Sequence, residues 1–363
     1  MLPGLCTAWH ASVGFTRWTF TCTSAPSIAA ALRRVVRLPA APARWLFAGA
    51  AQITAPSATS LIVRLRQGWR RFPYALTAVA AAPRFVPGPF RLVSGSARRV
   101  IVRRPGLTVV FRRLDSHSAA REFRQGRLDE SPVPPGDIVA TALDSRLRKA
   151  LQVRTLLALD LVSFRGGPAR NIRSVYWATA NRGDYEELVP EVKGAAAFDL
   201  IGRADKQRPA QFRDALKRIP SLPRVQVRIG VPRDAVLRYG ARILYADWRD
   251  VGLGPVLVDR GPKVTTDFRR LTAAYPQSEA LLGSIVASGI GSPALFARVL
   301  AATEQAKPLA RLDAQIRSLD RVVPIAWVRD PRLVSPRLTG WREDLLGDVD
   351  YSTVTARSSS VEG

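Results

Sequence analysis

Residues 225–258 read VQVRIGVPRDAVLRYGARILYADWRDVGLGPVLV, and this stretch decides the fold class. Short apolar runs at 225–229 and 256–258 have the composition of buried strands. The segment between them, 235–250, predicts a helix that ends at Gly252. Its apolar side chains recur at helical spacing on one face: Leu237, Ala241, Leu244 and Trp248. Two strands joined through one helix are most often parallel with a right-handed crossover, so the stretch predicts an α/β fold.

Strands and a helix are also predicted in the first third of the chain. Residues 61–65 and 107–112 alternate in polarity, as half-buried strands do. Ser27, which follows Pro26, is expected to cap a helix. The apolar face of that helix is spaced as i, i+4, i+7, i+8: Ile28, Leu32, Val35 and Val36.

A break in the pattern suggests where the chain divides. Asp115 is expected to cap a short helix that ends at Gly126, and residues 131–136 then read SPVPPG. We expect a domain boundary within 132–160. The rest is predicted to be mainly helical, with helices at 168–180, 208–218, 278–287, 293–304 and 309–319, and a strand at 322–328.

The 363-residue chain has a formal net charge of +26, which ordinarily points to nucleic acid as a partner. Here 49 of the 55 basic residues are arginine, and they are spread along the chain rather than gathered in one arm. The motifs that accompany nucleic-acid binding are missing. Nucleic acid is therefore not the expected partner, although an arginine-rich nucleic-acid binder stays an alternative.

Two cysteines, Cys6 and Cys22, could close a small disulfide loop or remain as free thiols, and they are too few for a zinc site. No run approaches the roughly 18 consecutive apolar residues of a membrane span. The first basic residue is Arg17, and polar residues interrupt the apolar run before it. An export signal and a lipoprotein cleavage site are therefore not visible.

The chain lacks the residue clusters of common enzymes. Its histidines are His10 and His117, neither in a catalytic context, and there is no HExxH, paired CxxC or phosphate-binding glycine loop. The neighbouring acids Glu186–Glu187 and Glu343–Asp344 are expected to be solvated surface. We therefore expect no enzyme activity, no metal and no cofactor.

Several segments, in order, resemble the extracellular solute-binding proteins of family 5, the receptors of ABC importers for peptides and related solutes. Residues 18–20 are similar to an early family strand, 86–92 to its Gly-Thr-Gly-Pro-Tyr-Arg-Leu turn, and 123–129 to its helix, Gly, Leu/Ile, Asp step. Later segments at 171–182, 239–258, 323–327 and 340–341 continue the likeness. It covers about 15–355, and the chain resembles a truncated and diverged member.

That resemblance implies an α/β, two-lobed, hinged fold of the type II periplasmic-binding-protein kind, with mixed sheets flanked by helices. Residues 1–150 would form an incomplete lobe I, 151–332 a helix-rich lobe II, and 333–357 a return segment to lobe I, before a disordered tail at 358–363. It also implies capture of a peptide or small solute, ABC permease partners and an extracytoplasmic location.

One departure concerns the binding cleft. Peptide-binding members carry Ala-Asp-Tyr-x-x-Pro, whose Asp is placed to pair with the α-amino group of a peptide. The similar stretch here is 273–276, AAYP, so Ala274 stands at the acidic position. Its loss removes a charge-assisted hydrogen bond to a peptide amino terminus. The cleft candidates are Tyr275, Asp267, Arg269 and Trp18, each with an alternative reading as a core aromatic residue or a solvated ion pair.

The main rival hypothesis is a diverged solute-binding-like domain without a transport role, such as an intracellular sensor or a remnant. A saturable small ligand would favour the receptor. The residues do not identify the solute, the native start, the export route or the oligomeric state.

Overall fold

The computed structural model describes residues 5–38, 44–47, 49–76, 89–192, 195–202, 209–261 and 264–357. The first part of the family-like turn, at residues 86–88, and the predicted tail at 358–363 lie outside these ranges. The predicted mixed α/β class is confirmed.

The chain divides into two compact units, each built from separate segments. Unit 1 comprises Met1–Gly88, Asp199–Asp205 and Leu271–Val323, and unit 2 comprises Pro89–Phe198, Lys206–Arg270 and Pro324–Gly363. These bounds differ from the expected division at residues 150 and 332, and the break at 131–136 lies inside unit 2. Two of the changes from one unit to the other lie inside strands, between Arg270 and Leu271 and between Val323 and Pro324, where the unbroken strand gives no sign of a boundary.

Four described strands form the sheet of unit 1: β1 (Cys6–Ala11), β2 (Arg17–Cys22), β3 (Ala50–Thr54) and β4 (Ser60–Leu65). Their order is β1-β2-β4-β3 and every pair is antiparallel. The helices of the unit are α1 (Ala25–Arg37), α2 (Arg44–Phe47), α3 (Phe72–Ala75), α11 (Glu279–Ala287), α12 (Pro293–Ala301) and α13 (Ala306–Ser318).

Period-two alternation determines which face of this sheet is buried. Phe20 on β2 lies opposite Leu61 on β4, and Trp18 lies opposite Val63; all four side chains are buried. At the start of the sheet, Cys6 and Cys22 are paired residues of β1 and β2 and form a disulfide. Of the two alternatives that the sequence left open, the structure therefore has the disulfide.

The first helix begins earlier than expected. Ser24, not Ser27, occupies the N-cap position of α1, and its hydroxyl donates to the Ser27 hydroxyl instead of capping a backbone amide. Pro26 lies in the first helical turn, where an amide hydrogen is not needed and the fixed φ of proline suits a helix. The sequence analysis placed Pro26 before the helix, whereas it lies inside the first turn.

Six described strands form the main sheet of unit 2: β8 (Glu130–Pro132), β9 (Leu151–Phe164), β10 (Val227–Val231), β11 (Pro255–Asp259), β12 (Thr266–Thr272) and β13 (Val322–Val334). Their order is β11-β10-β12-β9-β13-β8. Two smaller sheets accompany it: β5 (Arg91–Gly95), β6 (Arg99–Arg104) and β7 (Leu107–Arg112), and β14 (Leu338–Thr339) with β15 (Thr355–Ala356).

The helices of unit 2 are α4 (Ser116–Arg124), α5 (Ile138–Leu143), α6 (Ser145–Arg148), α7 (Arg170–Thr179), α8 (Arg182–Leu188), α9 (Pro209–Arg218) and α10 (Ala235–Asp250). The cap predicted at Asp115 is confirmed, since its carboxylate accepts from the Ser118 amide at 2.9 Å. This hydrogen bond lowers the pKa of Asp115 below its ordinary value.

The strand, helix, strand unit that decided the fold class is confirmed. Strands β10 and β11 are parallel, and α10 connects them. The Asp234 side chain caps the helix by accepting from the Leu237 amide at 2.9 Å, and Gly252 follows its end with a φ of +88°. The predicted stripe is buried, including Trp248, whose ring packs on Tyr176 at a centroid distance of 4.9 Å.

Helix ends near residue 305 differ from the prediction. Helix α12 ends at Ala301 rather than at 304, because Ala302 is extended and Gln305 begins the next helix. Helix α13 includes Pro308, which the sequence analysis placed before the helix. Proline is compatible with the first turn because no intrahelical bond uses its nitrogen there.

Three polar side chains, of which Asp160 and Tyr185 are fully buried, connect the centre of the unit 2 sheet to its helices. Arg270 on β12 donates to both carboxylate oxygens of Asp160 on β9, at 2.8 and 3.0 Å. The Tyr185 hydroxyl on α8 donates to the same carboxylate at 3.0 Å. Gly240 on α10 leaves room for the tyrosine, because a Cβ there would lie 2.6 Å from its ring.

We predict that Gly240→Ala lowers the free energy of unfolding by about 1–3 kcal/mol, because the new methyl group displaces Tyr185 from Asp160. The matched control is Gly183→Ala on α8, where a Cβ meets no atom closer than 3.4 Å. That change should be neutral or stabilise by up to about 1 kcal/mol. Urea denaturation measures both, and equal midpoints for the two variants would contradict the packing described.

We also predict that Cys6→Ser with Cys22→Ser lowers the free energy of unfolding by about 3 kcal/mol, because the open loop gains entropy in the unfolded chain. Denaturation with and without dithiothreitol measures the effect. The reductant should lower the midpoint of the parent protein only, and the double variant, which has no disulfide, is the control. A parent protein indifferent to reductant would contradict the prediction.

Candidate functional site

Two of the predicted cleft residues lie together in unit 1, in an aromatic cluster. Trp18 packs on Phe72 with ring centroids 6.3 Å apart, Phe72 on Trp69 at 5.4 Å, and Trp69 on Tyr275 at 5.9 Å. Trp18 is 5% exposed and Tyr275 is fully buried. Both rings therefore belong to the core of unit 1. They are too buried to contact a ligand directly, and can affect binding only by positioning the residues around them.

A buried carboxylate lies beside this cluster. Glu279, the first residue of α11, is 1% exposed, and the Arg71 guanidinium lies 3.8 Å from its Oε2 atom. Burial raises the pKa of Glu279 above its ordinary value, against the opposing effect of Arg71. Burial also raises the pKa of Tyr275 well above its ordinary value, and the charge of Glu279 adds to that shift. Glu279 thus places an ionisable group four residues after Tyr275.

The other two predicted residues lie together in unit 2. Asp267 on β12 is fully buried opposite Gly230 of β10. Its Oδ1 atom is 2.9 Å from an amino nitrogen of Arg165, and its Oδ2 atom is 3.5 Å from Arg260 and 3.7 Å from Arg269. Three guanidinium groups therefore surround one carboxylate, and we call these four residues the Asp267 cluster.

The Asp267 cluster holds three arginines and one carboxylate. The side chains of Arg165 and Arg260 are 42% and 46% exposed, so two of the guanidinium groups reach solvent. Burial lowers the pKa of Arg269, and the charges of Arg260 and Arg165 lower it further, while Asp267 opposes the shift. This electrostatic environment favours an anionic group near the exposed arginines.

The structure thus brings the four predicted residues together as two pairs, one in each unit. Sequence reasoning missed Glu279, Arg71, Arg165 and Arg260, which are the charged partners of those pairs. Glu279 lies close enough to Tyr275 in the sequence to be a candidate. Arg165 is 102 positions from Asp267 and no motif surrounds it, so its role depends on the tertiary fold.

One prediction about surface acids is wrong. Glu343 was expected to be solvated, but it is 3% exposed and lies 3.0 Å from Arg332. Arg332 also contacts Glu130 at 2.6 Å and Asp330 at 2.9 Å. Burial, with a further contribution from Asp330, raises the pKa of Glu343 to about 8. The contact with Arg332 accompanies the burial of Glu343, whereas its neighbour Asp344 is only partly buried.

Neither metal chemistry nor a membrane-spanning helix is found in the described part of the chain. Across those residues there is no group of three or more His, Cys, Asp or Glu side chains that could hold a metal ion. No described helix is long and apolar enough to cross a membrane.

The fold is that of the periplasmic solute-binding proteins. No protein family and no curated protein matches the chain by sequence. Its structural neighbours include oligopeptide- and murein-tripeptide-binding proteins. The fold expected from the resemblance to the family 5 proteins is thus confirmed.

Three solved structures illustrate the likeness. The oligopeptide-binding protein OppA of Burkholderia pseudomallei has a TM-score of 0.76 at 16% identity, covering 98% of this chain and 90% of that one. OppA of Haemophilus influenzae, in complex with the peptide RPPGFSPFR, has a TM-score of 0.75 at 14% identity, and the likeness covers 98% of this chain and 90% of that one. A clavulanic acid biosynthesis oligopeptide-binding protein has a TM-score of 0.80 at 14% identity, and the likeness covers 98% of this chain and 86% of that one. At identities this low, the likeness shows a shared fold alone.

A pH experiment tests the buried carboxylate. The pKa of Glu279 is raised in the folded state above 4.5, so the folded protein binds a proton more tightly than the unfolded chain. Stability from this group is therefore full below pH 4.5 and decreases as the pH rises through the folded pKa. We predict that Glu279→Gln reduces this decrease.

Melting temperatures from pH 4 to pH 9 measure the effect. Glu304→Gln is the matched control, since it removes the same charge from an exposed position of the same unit. The control should follow the parent profile. Parallel profiles for the parent protein and Glu279→Gln would contradict the burial of an ionisable group at this place.

Proposed function

We propose that the protein is the substrate-binding receptor of an ABC importer, which captures a peptide or related solute outside the cytoplasm and delivers it to permease subunits. The observation that carries this proposal is the fold likeness, at TM-scores of 0.70–0.80 over 97–98% of the chain, to proteins whose described ligands are mostly peptides. No covalent chemistry is needed for this function.

We propose that the ligand contacts in unit 2 lie in the Asp267 cluster. Arg269 and Asp267, with the partly exposed Arg165 and Arg260, offer guanidinium groups to an anionic group of the solute. Tyr275 and Trp18, both buried, support the core of unit 1 by packing. One likeness agrees with an anionic solute: the binding protein AgaA, solved with agropinic acid, has a TM-score of 0.74 at 14% identity.

The amino terminus of a peptide should matter less here than in peptide-binding relatives. Ala274, which stands at the position of their acidic residue, is half-buried and brings no charge. A ligand that depends on a free α-amino group would lose its charge-assisted hydrogen bond. We therefore propose a preference for solutes with a free carboxylate, whether or not their amino group is blocked.

We predict that a saturating solute raises the melting temperature, because a ligand that binds only the folded state stabilises it. At a concentration of 100 Kd the gain is about 2.7 kcal/mol, or roughly 5–10 °C for a domain of this size. A thermal-shift screen with peptides, acetylated peptides, amidated peptides, sugars and metal chelates measures it. Acetylation should leave the shift unchanged, whereas amidation of the carboxyl end should reduce it.

Two variants sharpen this screen. Ala274→Asp should restore a preference for the free amino group, so that acetylated peptides then bind more weakly. Arg260→Gln should weaken binding of the unmodified solute about tenfold, while Arg238→Gln, which removes a similarly exposed arginine paired with Asp259, should not. A folded protein whose melting temperature rises with none of these solutes would overturn the receptor proposal. It would favour the diverged domain without a transport role.

A further inference from the structure

Arginines face each other across the small sheet of unit 2. In the antiparallel pairing of β5, β6 and β7, Arg91 lies opposite Arg103, and Arg99 lies opposite Arg112. Like charges placed directly opposite each other destabilise a sheet. Two such pairs on one small sheet are therefore unfavourable in isolation, and a bound anionic partner would relieve the repulsion.

All four arginines lie on one face of the sheet. Side chains alternate along a strand, so Arg99, Ile101 and Arg103 of β6 share a face, and directly opposite residues share it too. We call this the basic face, and it consists of Arg91, Ser94, Arg99, Ile101, Arg103, Thr108, Val110 and Arg112. Each of its arginines is exposed.

Little acidic charge compensates the basic face. Arg112 donates to Glu122 Oε2 at 3.0 Å, but that carboxylate also accepts from Arg127. Arg103 donates to the hydroxyl of Thr108, which carries no charge. The face therefore keeps most of its positive charge.

A concavity extends the same charge beyond the strand ends. It has a volume of about 830 Å³ and lies at the Arg99 and Arg112 pair. Its lining residues are Ala97, Arg98, Arg99, Arg112, Arg113, Leu114 and Asp115. Four arginines against one aspartate give this concavity the charge and the donors that a phosphate group requires.

The spacing of the charges indicates the form of the partner. Arg99 and Arg103 are four residues apart on one strand, which is about 13 Å at 3.3 Å per residue. A single phosphate is too small to contact both arginine pairs, so an extended anionic surface fits the face better. One aliphatic residue of the face, Val110, is 38% exposed. On the edge strand β5, Val93 lies at an irregularity of the pairing, and Leu92 pairs with Val102 and so lies on the opposite face.

We propose that the basic face docks on a membrane surface rich in anionic phospholipids. Its arginines contact lipid phosphates, while the partly exposed Val110 between them reaches the headgroup region, where apolar surface leaves water. Single-stranded nucleic acid fits less well, because the basic face carries no aromatic ring on which a base could stack. Duplex DNA, which needs no stacking, is distinguished by the experiment. This inference does not depend on the solute proposed above.

Vesicle flotation of the whole protein tests the proposal. We expect binding to vesicles of phosphatidylcholine with 30% phosphatidylglycerol, little binding to pure phosphatidylcholine, and release in 0.5 M salt, which screens the charges. The triple variant Arg91→Gln, Arg99→Gln, Arg103→Gln should bind anionic vesicles on the order of a hundredfold more weakly. Its melting temperature should equal or exceed that of the parent protein, because the repulsion is removed.

The matched control is the triple variant Arg33→Gln, Arg34→Gln, Arg37→Gln, which removes the same charge from exposed positions of α1 in unit 1. It should keep most of the vesicle binding. Equal losses in the two variants, or equal binding to neutral and anionic vesicles, would overturn the proposal. So would binding of duplex DNA through the basic face without binding to vesicles. The thermal shift with solute, measured on the same variants, reports separately on the receptor function.

Discussion

The contact between Asp160, Arg270 and Tyr185 is the constraint on which the larger unit depends. A fully buried carboxylate is costly unless its charge and both oxygens are satisfied, and here a bidentate arginine and a phenol provide the partners. The three groups belong to β9, β12 and α8, and Gly240 lets α10 approach closely enough to enclose them. These hydrogen bonds thereby fix the spacing of two strands and two helices. They also fix the position of the neighbouring side chains on β12.

Asp267 and Arg269 are those neighbouring side chains, and the contrast between them and Arg270 is informative. Arg270 forms a bidentate ion pair with Asp160, so its charge is neutralised within the fold. Asp267 instead has three arginines, two of them partly in solvent. The exposed guanidinium groups of Arg165 and Arg260 are the ones that the proposed anionic solute would contact.

Local patterns predicted the elements, and long-range contacts explain what they could not predict. The unit from 225 to 258 was readable because its helical stripe and its two apolar strands are close in sequence. The division into units was not, because strands β12 and β13 continue unbroken through it, and Pro324, which lies at the crossing in β13, does not end that strand. The aromatic candidates Trp18 and Tyr275 were found by resemblance, but their burial, and the contact of Asp267 with Arg165, depend on segments far apart in the sequence. Arg260 and Arg269 are close to Asp267 in the sequence, but no local pattern predicts that they converge on it.

The interrupted path of the chain also has a consequence for its biosynthesis. Strand β13 lies between β9 and β8 in the main sheet, yet it is made almost last. While a ribosome is producing the chain, β8 and β9 therefore wait with unpaired edges for a neighbour that emerges more than 150 residues later. Unit 2 cannot close vectorially from its amino end, and its nascent edges are the place where a chaperone would be needed against premature association.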